Sequence, residues 1–142
     1  MRIERTVRVE LPLRRAFDYL ADFTTTTDWD PGTIVTIRCA GDGGVGTTYR
    51  NTSRFLGRET LLTYVVEELV SEERIRLRGE NDTVVSVDTM TFRRTGSLTE
   101  VTYTAEFAFK GVSRLLAPLL KPAFVRLGNE AEGGLRLALT QL

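Results

Sequence analysis

The sequence predicts an α+β fold: a curved antiparallel β-sheet of about seven strands wrapped around a long C-terminal α-helix, with two short helices after the first strand. Three observations predict it. Up to Lys110 most apolar residues alternate with a period of two, as along half-buried strands. From Val112 the period becomes three to four: Val112, Leu115, Leu116, Leu119, Leu120, Ala123, Phe124, Leu127, Ala131, Leu135, Ala138 and Leu142 trace one stripe along a helix. Only short turn-forming stretches separate the alternating segments, so consecutive strands should pair antiparallel. A sheet bent around a helix leaves a space between them, and a site is expected there.

The first strand is Ile3–Leu11, with Val7, Val9 and Leu11 on one face. Pro12 ends it and can open a helix, on which Leu13, Ala16, Phe17, Leu20 and Ala21 share a face. The hydroxyls from Thr24 to Thr27 can cap a second short helix carrying Trp29, and Asp30-Pro31-Gly32 is a turn. Thr33–Ala40 alternates with Val35, Ile37 and Cys39 together, and Gly41–Gly46 is a flexible loop. Thr47–Phe55 places Tyr49, Asn51, Ser53 and Phe55 on one face, and Leu56-Gly57 is a tight hairpin turn. Arg58–Leu69 aligns Leu62, Tyr64 and Val66. Arg74–Arg78 turns Ile75 and Leu77 inward and its arginines outward, with a turn over Gly79–Asp82. Val84–Arg94 puts Asp88, Met90 and Phe92 on one face. Glu100–Lys110 sets Val101, Tyr103, Ala105, Phe107 and Phe109 inward against Thr102, Thr104 and Glu106 outward.

In the last quarter Pro118 and Pro122 lack an N–H and clash with the preceding turn. Proline is tolerated in a first helical turn. The expectation is a short lead-in from about Val112 and a continuous helix from about Pro118 to Thr140. Gly128, Gly133 and Gly134 weaken that helix and are read as places of close helix–sheet packing.

The 142 residues suit one domain, residues 1–142, and a 42% hydrophobic fraction can build its core. Nineteen basic residues balance nineteen acidic ones, so no nucleic-acid partner is indicated. Histidine is absent, which excludes imidazole catalysis and His-ligated metal sites, and one cysteine excludes a disulfide and thiolate clusters. No metal and no cofactor is expected. No signal-like or membrane-spanning run is present, so the default location is the cytoplasm. Lysine occurs only at Lys110 and Lys121, an arginine bias typical of GC-rich bacterial genomes. Oligomeric state leaves no mark in the sequence.

Several motifs are better read blandly. Gly41–Gly46 matches G-x-G-x-x-G, but a strand rather than a helix follows it, so it reads as a hairpin loop and not a dinucleotide site. Asn51-Thr52-Ser53 and Asn81-Asp82-Thr83 are chance glycosylation sequons. Arg74, Arg76 and Arg78 read as a solvated row with acidic cross-strand partners. Cys39, with no activating base, reads as a small buried hydrophobe.

The positive signal is a set of inward polar residues: Tyr49, Asn51, Ser53, Tyr64, Asp88 and Tyr103. Buried polar groups need partners, or they cost roughly 1–3 kcal/mol each. They bond one another in a filled core, or they line a cavity that takes a small molecule. The candidate ligand-binding floor is Tyr49, Asn51, Tyr64, Asp88, Met90 and Tyr103. Leu120, Phe124, Leu127 and Ala131 form the lid, and Phe17, Leu20 and Trp29 close one end. Asp88, desolvated in such a pocket, is the sharpest catalytic candidate, with Tyr49 and Tyr64 behind it.

The chain resembles the polyketide cyclase/dehydrase and lipid-transport group of the START-like (SRPBCC, Bet v 1-like) superfamily. The resemblance lies in V-R-V-E-L-P followed by A-F-D-Y-L-A-D-F, W-D-P-G at Trp29–Gly32, G-T-T-Y-R at Gly46–Arg50, F-L-G-R-E at Phe55–Glu59, Y-V-V-E-E-L at Tyr64–Leu69, V-D-T-M-T-F at Val87–Phe92, T-E-V-T-Y at Thr99–Tyr103 and the long final helix. It covers essentially the whole chain and implies the helix-grip fold. It also implies a small hydrophobic ligand, lipid- or polyketide-like, held in the internal cavity by a carrier or sensor. The alternative it implies is a cyclase/dehydratase using Asp88 and tyrosines for acid–base chemistry; a protein-binding module is a third. Such a fold fixes where a site lies and not its chemistry.

Overall fold

Alternation with period two builds the sheet that the sequence predicts. The computed structural model describes residues 1–142. Its strands are β1 (Arg2–Val9), β2 (Thr33–Ala40), β3 (Thr48–Phe55), β4 (Arg58–Val70), β5 (Arg74–Glu80), β6 (Val84–Thr95) and β7 (Leu98–Phe109). They form one antiparallel sheet in the order β1-β7-β6-β5-β4-β3-β2. From β2 to β7 each strand pairs with its sequence neighbour. The non-local pairing is β1 with β7, which leaves β1 and β2 as the open edges. Leu56 and Gly57, both at positive φ, make the tight β3–β4 turn whose twist suits a hairpin.

Helix α1 (Leu13–Ala21), a 3-10 turn (Phe23–Thr25) and α2 (Thr26–Trp29) lie between β1 and β2 in the chain. Buried Ala16, Phe17 and Leu20 place α1 against the sheet, with the Phe17 ring edge-on to Phe92 at 5.2 Å. The C-terminal part comprises α3 (Ser113–Leu116), a 3-10 turn (Ala117–Leu120) and α4 (Lys121–Thr140). Along α4, Phe124, Gly128, Ala131, Leu135 and Leu139 are buried at steps of three and four. Burying a leucine such as Leu135 stabilises the fold by roughly 1.5–3 kcal/mol.

Four expectations need correction. The long helix starts at Lys121 with Pro122 in its first turn, whereas Pro118 sits in the 3-10 turn before it. Two prolines four residues apart cannot both occupy one helix's first turn, and the later one has the long uninterrupted run behind it. The apolar stripe also divides. Val112, Leu115, Leu116 and Leu119 point into solvent, and only Ser113, Ala117 and Leu120 of that segment turn partly inward. In β2 a register shift between Thr33 and Val35 leaves Thr33 and Thr36 buried and exposes Ile34, Val35 and Ile37. Cys39 is consequently exposed. Lastly, β5 runs on to Glu80, so Gly79 belongs to the strand rather than to the turn.

The β7 register stands. Val101 and Ala105 are buried and Glu106 is exposed, while Tyr103, Phe107 and Phe109 are half-buried. Thr102 and Thr104 are half-covered because β1 lies alongside, with a Thr6–Thr102 hydroxyl bond of 3.0 Å. Gly128 and Gly134 do mark close approach. A Cβ at Gly128 would come within 2.5 Å of Ile3 on β1, and one at Gly134 would collide with the Trp29 carbonyl of α2. Gly133 faces open space. The arginine row is outward and paired with acids, Arg74 to Glu68 at 3.0 Å and Arg76 to Glu67 at 3.2 Å. Gly41–Gly46 is the β2–β3 hairpin loop.

Candidate functional site

Between the inner face of the sheet and α4 lies a pocket of about 460 Å³. Its outer half is aromatic. Alternation on β7 presents Phe107 and Phe109, β3 ends in Phe55, and α4 lowers Phe124 between them. The Phe124 ring centroid is 4.7 Å from Phe107, 4.8 Å from Phe55 and 5.7 Å from Phe109. Leu56, Arg58 and Leu116 form the rim.

The inner half is polar. Register places Gly79 between Tyr64 on β4 and Ser86 on β6. A Cβ at Gly79 would lie 2.6 Å from the Tyr64 ring, so glycine lets that ring lie across β5. The Tyr64 ring is thereby directed toward Ser86 and Asp88 on β6. Ser86 Oγ donates to Asp88 Oδ1 at 2.8 Å and the Tyr103 hydroxyl to Oδ2 at 2.9 Å. Burial pushes the Asp88 carboxyl up to about 6; the Ser86 and Tyr103 hydrogen bonds restrain the rise and the Asp30 charge adds to it. Burial, with Asp88 beside them, holds the Tyr64 and Tyr103 phenols well above their ordinary value. They remain neutral donors.

Asp30 is the second carboxylate on this wall. It accepts from Thr33 Oγ1 at 2.9 Å and from the Gly32 N–H at 3.1 Å, yet burial raises its pKa. Next to it the buried Trp29 indole N–H has no hydrogen-bond partner. The Trp29 ring meets Tyr103 edge-on at 5.5 Å, and both residues line the pocket. An orphaned buried donor is costly. Asn51 differs, because its amide is already engaged. It donates to Thr33 at 3.1 Å and Thr36 at 2.8 Å and accepts from Ser53. No cluster of three or more His, Cys, Asp or Glu side chains is placed to hold a metal ion.

Of the residues singled out in the sequence, Trp29, Asn51, Tyr64, Asp88 and Tyr103 line the pocket, as do Leu120, Phe124, Leu127 and Ala131. Tyr49 and Met90 do not; both are buried in the hydrophobic core. For Tyr49 the reason is Phe23, whose ring packs 5.7 Å from Tyr49 and 4.8 Å from Tyr64 and plugs that end. Phe17 and Leu20 belong to the same packed core rather than to a pocket wall. Asp30 and Ser86 were not foreseen. Ser86 shares the β6 face of Asp88, so the period-two rule could have found it; Asp30 sits in a turn, where no periodicity reports burial.

The chain belongs to the family described as polyketide cyclase / dehydrase and lipid transport, whose profile matches residues 1–138. Among curated proteins no sequence matches. Solved structures are similar in fold. TTHA0849 from Thermus thermophilus is 17% identical with a TM-score of 0.83, over 99% of this chain and 98% of that one. A START superfamily protein from Mycobacterium smegmatis is 14% identical with a TM-score of 0.82, over 99% and 97%. The Zhui aromatase/cyclase from Streptomyces sp. R1128 is 17% identical with a TM-score of 0.74, over 95% and 93%. At these identities the likeness establishes a shared START-like, Bet v 1-like fold and nothing finer.

Proposed function

We propose that the chain binds a hydrophobic or aromatic small molecule, lipid- or polyketide-like, between sheet and α4, as a carrier or sensor. The observation that carries this reading is the division of the pocket into an aromatic outer half around Phe124 and a polar inner end. An apolar cavity with a few convergent polar groups is the usual form of a small-molecule site. The inner end holds Asp30 and Asp88 and no cation, so it disfavours a carboxylate or phosphate head. A neutral hydroxyl or phenol end group suits it, because its O–H can donate to Asp88, which lines the pocket. Native mass spectrometry of protein purified from its own host tests the reading. A co-purifying apolar molecule with a neutral polar end group supports it; an anionic lipid seated head-inward defeats it.

A second reading, a cyclase/dehydratase in the same cavity, is favoured by one observation, the Asp88 carboxyl raised to about 6. At pH 7 such a group is mostly ionised and can take a proton from a carbon beside a carbonyl, while the Tyr64 hydroxyl donates to the carbonyl oxygen. Turnover of a poly-β-ketone substrate, lost in Asp88→Asn and rising through pH 6 in the wild type, would separate the enzyme from the carrier.

A further inference from the structure

The segment between β7 and α4 carries its most apolar face outward. Val112 is 82% exposed, Leu115 78%, Leu119 76% and Leu116 54%. These residues stand at i, i+3, i+4 and i+7, one side of the α3 and 3-10 turns, and Pro118 and Pro122 beside them are exposed too. Monomeric proteins rarely leave such contiguous patches without an interaction to cover them. The charge around the patch has one sign. No Asp or Glu occurs between Glu106 and Glu130, whereas Lys110, Arg114, Lys121 and Arg126 all fall in that interval. Lys110 and Arg126 are engaged by Glu80 and Glu130, but Arg114, Lys121 and the rim residue Arg58 form no ion pair. The patch is also continuous with the pocket, since Leu116 and exposed Leu56 both line its rim.

We infer that this face docks on an anionic phospholipid membrane surface, with the pocket mouth against the bilayer. Apolar side chains on one side of a short helical element, flanked by unpaired cations, match the interface of headgroups and acyl chains. No helix is long and apolar enough to cross a membrane, so the contact is peripheral. A bilayer contact at the rim would let an apolar molecule pass between membrane and pocket without crossing water. The docking itself does not depend on which molecule fills the pocket.

Co-sedimentation of the full chain with lipid vesicles tests it. The chain should bind vesicles of phosphatidylcholine mixed with phosphatidylglycerol about tenfold more strongly than phosphatidylcholine alone, and added salt should weaken that binding. Leu115→Glu with Leu119→Glu should lower it at least about tenfold. Both side chains are exposed, so the thermal melt should not move. Arg114→Gln with Lys121→Gln should reduce the mixed-vesicle binding to the phosphatidylcholine level. Equal binding to both vesicles, binding to neither, or wild-type binding by the Leu115/Leu119 double variant overturns the inference. So does a dimer in sedimentation velocity that the same double variant dissociates, for the face would then join two copies of the chain.

Discussion

The Tyr103 hydroxyl donates to Asp88 Oδ2 at 2.9 Å across neighbouring strands. Register sets Asp88 opposite Ala105 and Tyr103 opposite Met90, so the bond runs diagonally between β6 and β7. The small Ala105 leaves room above Asp88, and the acid becomes the innermost acceptor of the pocket.

That burial makes Asp88 a source of pH-dependent instability. Its carboxyl titrates near 6 in the folded chain against an ordinary value of 3.8. Between those values the folded state holds a proton that the unfolded state has released, so stability from this group falls as pH rises through the window. The full effect above pH 6 is on the order of 3 kcal/mol. Asp88→Asn removes it. Denaturant melts of both proteins from about pH 4 to pH 7.5 should show the variant gaining on the wild type across that window. A difference that stays constant with pH would contradict the burial argument.

Phe124 joins the aromatic half of the pocket to α4. Phe124→Ala should cost about 3 kcal/mol, at the low end for a buried phenylalanine because a cavity already adjoins it. Phe124→Trp should fill the space and weaken the affinity of an identified ligand, while outward Arg76→Ala should leave it unchanged. Calorimetric titration decides, and an unaltered affinity in Phe124→Trp would move the binding site elsewhere.

Two adjacent glycines on α4 should respond in opposite directions. Gly133 faces open space, so Gly133→Ala should stabilise by about 1 kcal/mol through helix propensity. A Cβ at Gly134 meets the Trp29 backbone, so Gly134→Ala should destabilise by about 2 kcal/mol as α2 is pushed away. Matching shifts from the two substitutions would contradict the α2–α4 contact.

Cys39 is exposed on the edge strand β2. A thiol reagent such as dithionitrobenzoate should label it in the native chain at nearly the rate seen in denaturant. Strong native protection would restore the buried reading that the residue's apolar neighbours suggested.

Most of the polar wall was legible because strands carry their own ruler. Tyr64, Asp88 and Tyr103 each stand in step with apolar neighbours, and period two assigns them to the inner face. The same ruler failed on β2, where a register shift exchanged Val35 and Ile37 for Thr33 and Thr36. It also placed Tyr49 and Met90 on the inner face without saying whether space lies above them. Over Tyr49 that space is filled by Phe23, from a 3-10 turn distant in sequence.

By itself the sequence determined the two periodicities, hence a sheet followed by a long helix, and the absence of histidine, hence the chemistry excluded. Those properties are local, set by side-chain direction along a strand or helix and by composition. The tertiary structure decided where the sheet and α4 part to leave a pocket, which prolines interrupt the helix, and which half of the C-terminal stripe stays in water. It also brought Asp30 of a turn to the same wall as Asp88 of β6. Those outcomes depend on which distant surfaces compete to cover one another. A period records which face is apolar and cannot record what, if anything, lies against it.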